Sequence, residues 1–433
     1  MKKIGIVLFT SDLRLHDNTT LNLAIKENDL VIPLFCWDED FMNQLQFGFQ
    51  RVGSIRRAFL NKVLYDLHIG LKANGGYLLV RKGNSAEILT EITNVISIHK
   101  VYTKKQVGIE EKRQNEYLKS ILRKKGIDFE EYSTSTMYHP SDLPFSMSSI
   151  PEVFTKFRKI VEKEAFVREL VPTPSKIDCP TIPKEWMDYS FSESTNLIEK
   201  GFSLPELGGE QRSLNHLNWY LFEKQHILHY KETRNELSGL EFSSKLSLWL
   251  SLGCISPKYI YHEVKRFENE YKANDSTYWL IFELLWRDFF RFSFKKHPID
   301  YYQLHGIIGK SDRKANRNAE IIQKWIEGKT DNAFVNAAMR ELKVTGWMSN
   351  RMRQIVASYF IYDLGQDWRI GAAYFESQLI DYDVSSNWGN WAYIAGVGND
   401  PRAGRQFNLE KQEEQYDKDK VYQKLWNNQK LEV

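Results

Sequence analysis

The sequence predicts an α/β fold, in which an N-terminal doubly wound domain on a parallel sheet is joined by a long connector to an all-helical domain. Three observations predict it. Short apolar runs alternate with helical patterns over residues 1–132, 8 of the 12 prolines crowd into residues 133–205, and residues 206–433 read as helix after helix. A chain of 433 residues also exceeds the size at which a single core stops growing, so more than one domain is expected.

Taken in order, residues 4–9, 30–36, 77–81 and 100–103 are the expected strands, each rich in Val, Ile and Leu. Helical periodicity fills the gaps at residues 19–27, 53–74, 85–97 and 110–125. Repeated strand–helix alternation gives a parallel sheet covered on both faces, with its ligand crevice at the carboxyl ends of the strands. No GxGxxG follows the first strand, so a dinucleotide site there has no support. The connector carries one helical pattern, 152–169, and is otherwise expected to run over the surface. In the helical domain, Asp275-Ser276 is the expected cap of a helix through Trp279, Glu283, Trp286 and Phe290. A second helix is expected over 349–364, with Gly365 as its stop.

Composition narrows the function classes. The formal net charge is only +3, so no global field points to nucleic acid, although a local basic groove stays open. Cys36, Cys179 and Cys254 stand far apart without a CxxC pair, which argues against a disulfide framework or a cysteine-rich zinc site, and no metal is expected. The apolar start reaches only about six residues before Ser11-Asp12 and has no small-residue cleavage site, unlike a signal peptide. No run approaches the roughly 20 apolar residues of a membrane span. A cytoplasmic protein without membrane contact is expected. Aromatics make up 14% of the chain, with 12 Trp, which suits either packed cores or stacking surfaces for a flat cofactor or bases.

Four segments carry chemistry. Ser243, Ser244, Lys245, Leu246 and Ser247, following Thr233-Arg234-Asn235, combine hydroxyls, backbone N–H groups and an ammonium in one turn. That suits a diphosphate cradle, or simply a helix cap. Glu283, Trp286, Arg287 and Phe290 share a helix face, and Glu283 lies in an otherwise apolar run where an unpaired carboxylate is costly. It is either an i,i+4 partner of Arg287 or a hydrogen-bonding carboxylate beside an aromatic platform. Asn350, Gln354, Ala357 and Ile361 fall on another face, with Arg353 beside them. Last, Asp367-Trp368-Arg369, Asp381-Tyr382-Asp383 and residues 386–393 interleave carboxylates, amides and aromatics as a polar, nitrogen-rich ring would require.

These stretches, with Gly396-Val397-Gly398-Asn399-Asp400-Pro401-Arg402, resemble the flavin-binding domain of photolyases and cryptochromes. Thr233-Arg234-Asn235, residues 278–284 and 396–402 are similar to the DASH subgroup, as are Asp12-Leu13-Arg14-Leu15-His16-Asp17-Asn18 and Phe47-Gly48-Phe49. The resemblance spans nearly the whole chain, in the family's order. It implies FAD in the helical domain, with Tyr230 and residues 243–247 toward the diphosphate. Glu283, Arg287, Asn350, Arg353, Asp381, Asp383 and Asn387 would line the flavin, with Asn387 near its N5. A cation such as Arg353 near the ring would stabilise the reduced flavin, and Asp381 would limit the cost of burying it.

The implied reaction is light-driven splitting of cyclobutane pyrimidine dimers, for which the lesion must leave the base stack. Glu283, Trp286, Asn350, Gln354 and Tyr393 would meet the extruded bases. Gln354 stands where many ordinary photolyases have Met, and the absence of His in residues 347–351 disfavours (6-4) chemistry. Trp391 and Trp368 match the first two electron donors, while the outer position falls on Ala315, so either the alignment slips or a residue such as Tyr393 or Trp325 takes the role. The family also implies a folate antenna, 5,10-methenyltetrahydrofolate, with Cys36, Trp37, Phe47, Phe49 and Glu110 or Glu111 as contacts. Here the stretch 49–53 departs from the usual Pro-Lys-Thr pattern. The implied partner is dimer-containing single-stranded DNA, with RNA as a further possibility, bound by a monomer. A photoreceptor with the same flavin and little repair is the alternative. Glu283, Trp286, Asn350 and the lack of a long tail favour repair.

Overall fold

Apolar β1 (Ile4–Phe9) is buried beyond its first residue, as a strand covered on both faces must be. After it come α1 (Thr19–Glu27), β2 (Leu30–Trp37), a short α2 (Glu39–Asn43), a two-residue hairpin of β3 (Leu45–Gln46) and β4 (Phe49–Gln50), and α3 (Ser54–Ala73). Then follow β5 (Leu79–Lys82), α4 (Ser85–Val95), β6 (Lys100–Lys104), α5 (Ile109–Lys124) and β7 (Asp128–Tyr132). The structure, a computed structural model, describes residues 2–191, 204–402 and 404–428.

Five strands form one parallel sheet in the order β5-β2-β1-β6-β7. The expected strands and helices are present, with small shifts at their ends. Gly53 and Asn74 prove to be the caps of α3. β7 was not expected. Its sequence, DFEEY, buries only Phe129, because an edge strand meets solvent and carries charges there. The β3–β4 hairpin turns through Phe47 and Gly48, both at positive φ, on strands too short to show a period.

The connector differs from its expected course. Its helix α6 is Phe154–Glu164, shorter than 152–169. Most of its described residues are at least partly exposed, as a surface course requires, but Met137, Ile150, Phe154, Phe157, Val161 and Ile177 are buried in a core that also takes in Val7, Leu64, Trp249 and Phe289. Prolines keep the backbone extended, while the apolar residues between them anchor it to both domains. Residues 192–203 of this segment lie outside the described residues.

The second domain comprises α7 (Glu210–Asn218), α8 (Tyr230–Thr233), α9 (Ser247–Leu252), α10 (Pro257–Glu270), α11 (Asp275–Lys296), α12 (Ala319–Ile326) and α13 (Ala333–Thr345). It continues with α14 (Asn350–Ser358), α15 (Trp368–Gln378), α16 (Val384–Ala395), α17 (Leu409–Tyr416) and α18 (Val421–Asn427). The cap of α11 is Asn274, not Asp275-Ser276. Its side chain accepts from Ser276 and Thr277 N–H, and Thr277 Oγ1 accepts from Asn274 N–H in return, a complete capping box. Helix α14 continues as a π-helical turn to Asp363, and Gly365 follows at φ +63°.

The Asp12–Asn18 stretch clasps the two domains. Arg14, 1% exposed, donates to the carbonyls of His16, Asp17, Thr134 and Gly253. Glu210 accepts from Leu15 N–H, His16 N–H and His16 Nδ1, while His16 Nε2 accepts from Ser256 N–H. Gly253, at φ +70°, lets α9 end against Ser11, where any Cβ would lie 2.2 Å from the Ser11 carbonyl oxygen. The helical domain thus covers the carboxyl ends of β1 and β6. No helix of the described residues is long and apolar enough to cross a membrane.

Candidate functional site

A cavity of about 450 Å³ opens within the helical domain, lined by residues of α8, α9, α11, α14 and α16 and the loops before them. A smaller one of about 110 Å³ shares Asn350, Arg353, Gln354, Asp381 and Asp383 with it and reaches Asn387 and Trp391. Together they gather Tyr230, residues 243–247, Glu283, Trp286, Arg287, Asn350, Arg353, Gln354, Asp381, Asp383, Asn387, Tyr393 and Trp391. Trp368 lies outside both and donates from Nε1 to the Leu304 carbonyl at 3.0 Å.

Each wall has its own chemistry. Lys245 sits in the left-handed region at φ +51° and is 2% exposed. Its ammonium has no hydrogen-bond partner and lies 3.4 Å from the ring centre of Phe242 and 3.8 Å from that of Trp347. Burial holds its pKa well below the usual lysine value. A buried ammonium without an acceptor is costly, and an anion would supply the missing partner.

On the wall of the same cavity, one Nη of Arg353 donates to both oxygens of Asp381 at 2.9 and 3.0 Å, and its Nε donates to the Met348 carbonyl. Asp383 caps α16, accepting from Ser386 N–H and Ser385 Oγ, and pairs with Arg291 and, at 3.7 Å, with Arg287. Burial would raise its pKa, but the two guanidiniums outweigh burial and hold it well below the usual carboxylate range. Asn387 is fixed by donating to the Ala372 carbonyl at 2.9 Å.

Glu283 is paired, though not with Arg287. Arg234 reaches it at 2.8 Å, whereas Arg287 donates to the Ser135 and Leu250 carbonyls and turns toward Asp383. Desolvation raises the Glu283 pKa despite Arg234. Trp286 beside it is stacked on one face by Phe154, at 3.6 Å and 14°, and meets the Tyr393 ring edge-on at 5.8 Å. Arg405 donates to the Tyr393 hydroxyl and to Asp400.

Arg291 and Arg405 were not singled out in the sequence. Arg291 stands four residues after Arg287, one turn further along the same face, and that spacing was its signal. Arg405 lies in an irregular stretch that has none.

For the remaining electron donors, Ala315 is exposed and Trp325 is fully buried, 6.3 Å from Trp391. The antenna candidates are engaged within the chain. Trp37 packs against Tyr189 and Phe49 against Tyr374, and Arg317 and Arg369 both lie over the Phe47 ring. Cys36 sits in β2, where burial pushes its thiol pKa up. Arg51 pairs with Glu110 and with Glu376, and burial raises the Glu111 pKa. Among the described residues, no cluster of His, Cys, Asp and Glu could hold a metal ion.

The flavin cradle does fit. The family model "FAD binding domain of DNA photolyase" matches residues 279–430, and the model "DNA photolyase" matches residues 5–176. The chain is 41% identical to Cryptochrome DASH of Xenopus laevis, over 98% of this chain and 82% of that one. The crystal structure of the Synechocystis cryptochrome superposes with a TM-score of 0.91 at 40% identity, covering 98% of this chain and 88% of that one. A class III photolyase from Agrobacterium tumefaciens gives 0.82 at 26% identity, covering 98% and 86%. The unpartnered Lys245, the Arg353–Asp381 pair and this likeness along nearly the full length lead to one conclusion: the chain belongs to the DASH cryptochromes of the photolyase and cryptochrome family.

Proposed function

We propose that this protein is a light-driven lyase that splits cyclobutane pyrimidine dimers, preferentially in single-stranded DNA. When bound, reduced FAD supplies one electron to the dimer after absorbing blue light and recovers it once the ring has opened. The rest is done by the chain's own residues. Lys245 and Ser243, Ser244 and Ser247 would hold the diphosphate, and Arg353 with Asp381 would hold the ring. Trp286 offers the extruded bases a flat wall, stiffened from behind by Phe154. Asn350, Gln354 and Tyr393 surround it with polar groups.

The observation that carries this reading is Glu283, a carboxyl group on the cavity wall beside Trp286. Its raised pKa favours the protonated form, which can donate a hydrogen bond to a pyrimidine carbonyl. Arg234 opposes that shift and fixes the side chain in place. For a folate antenna the candidate contacts stay Cys36, Trp37, Phe47, Phe49 and Glu110 or Glu111, with Arg51 paired to Glu110.

The purified protein is expected to be yellow and to carry about one FAD, which its absorption spectrum measures. Glu283→Ala is expected to keep that FAD and to lower repair per absorbed photon about 2- to 10-fold, corresponding to a lost hydrogen bond of about 0.5–1.5 kcal/mol. Unchanged repair would make Glu283 only a partner of Arg234. Colourless, folded protein that does not take up added FAD would end the reading.

A further inference from the structure

Trp368, which sits outside the cavity, meets a second indole. The Trp388 ring lies 6.0 Å from it at 74°, in edge-to-face contact. Trp388 is fully buried, and its Nε1–H donates to Glu376 Oε2 at 2.9 Å. Glu376 is itself 4% exposed, with Arg51 at 3.4 Å. Neighbouring tryptophans lack such a partner: the Trp368 N–H meets a backbone carbonyl, and the Trp325 N–H meets nothing.

This difference matters for one-electron chemistry. An indole that loses an electron becomes a cation radical, far more acidic at nitrogen than indole itself. A carbonyl oxygen cannot take that proton, but a carboxylate can. Resting on the proposed flavin chemistry, we propose that Trp388 is the terminal electron donor of flavin photoreduction and that Glu376 is its built-in proton acceptor.

The electrons and atoms balance as follows. The oxidant would be a bound, photoexcited oxidised flavin, and the one electron it needs would come from Trp391, whose ring packs against Gly371 one turn after Trp368. Trp368 refills Trp391, and Trp388 refills Trp368. The proton on Trp388 Nε1 then moves to Glu376 Oε2, which leaves a neutral indolyl radical and a neutral carboxylic acid. In a dry interior this step removes two charges at once, where either charge alone is expensive. Burial raises the Glu376 pKa, Arg51 opposes that shift in favour of the carboxylate, and Glu110 remains as the partner of Arg51 once the proton has moved. Loss of the proton bars the electron's return, so the separated charges outlast recombination. The exposed Ala315 offers no ring for that task.

The test is transient absorption of the oxidised holoprotein after a blue flash, with flavin content measured in parallel. The parent should form a long-lived neutral indolyl radical at a rate independent of buffer concentration. Trp388→Phe should lose that signal and shorten the charge-separated lifetime several-fold. Glu376→Gln still accepts the indole N–H bond but cannot take the proton, so the cation radical should persist in its place and decay by recombination. Trp391→Phe should abolish both radicals. If it does, while Trp388→Phe and Glu376→Gln behave as the parent, the inference is overturned and the flavin reading stands. Should Trp388→Phe fail to fold, Glu376→Gln decides alone. A parent protein that binds no flavin overturns both.

Discussion

Asp383→Ala is expected to cost about 3–5 kcal/mol of stability, because it leaves the buried Arg287 and Arg291 without their carboxylate. It also removes the cap of α16, worth about 1 kcal/mol. Asp383→Asn separates the two contributions. It keeps an oxygen for Ser386 N–H but carries no charge, so it should recover the smaller part only. The pH dependence has a definite sign. The folded pKa of Asp383 lies well below the unfolded value of about 3.9. A depressed carboxylate contributes its stability above the unfolded pKa and loses it as the pH falls through the folded one. The gap between parent and Asp383→Ala should therefore be full at pH 7 and narrow steadily below about pH 4. Urea unfolding across that range measures it. Equal midpoints at pH 7 would mean that the two arginines find other acceptors.

Glu283 and Arg287 show why part of the site was legible in sequence and part was not. Their spacing puts them on one helix face, and that face does line the cavity. The partner is another matter. Spacing along one helix offers only Arg287, whereas folding brings Arg234 from α8's end and gives Arg287 to Asp383 and two carbonyls. Long-range competition of this kind leaves no periodic trace. The same holds for Lys245, whose cost is visible only once Phe242 and Trp347 enclose it. Local signals did better. The helix expected over 19–27 runs over those residues, and the apolar run of β1 ends where the strand does. Where composition misled, the reason is burial. Pro-rich residues 133–205 look like surface chain, and most of those described are, but Phe157 and Val161 are fully buried, Phe157 against Phe289 and Phe292 of α11. The motif Asp12–Asn18 was recognised without its purpose, and that purpose lies in carbonyls more than a hundred residues away, at Thr134 and Gly253.

Repair of a dimer in a single strand is expected to exceed repair in intact duplex by on the order of 10- to 100-fold, at equal concentration and moderate salt. Two free-energy terms compete. To reach the wall formed by Trp286 and Tyr393, the dimer must leave its stack, and in duplex it must also leave its partners. That unpairing costs a few kcal/mol, each 1.4 of them worth about tenfold, while a single strand has little pairing to break. Phosphate contacts could offset the cost, since each neutralised phosphate releases counterions. With a formal net charge of +3, the chain has little excess of cations over anions from which to draw them. The measurement is repair yield and affinity on matched single-stranded and duplex substrates at several salt concentrations. The single-strand advantage should persist as salt rises, because it originates in base pairing and not in the backbone. Equal repair of both, with a steep salt slope on duplex, would point instead to a strongly basic local groove and an ordinary duplex photolyase. No repair on either substrate, with flavin bound and reduced, would leave the photoreceptor reading in its place.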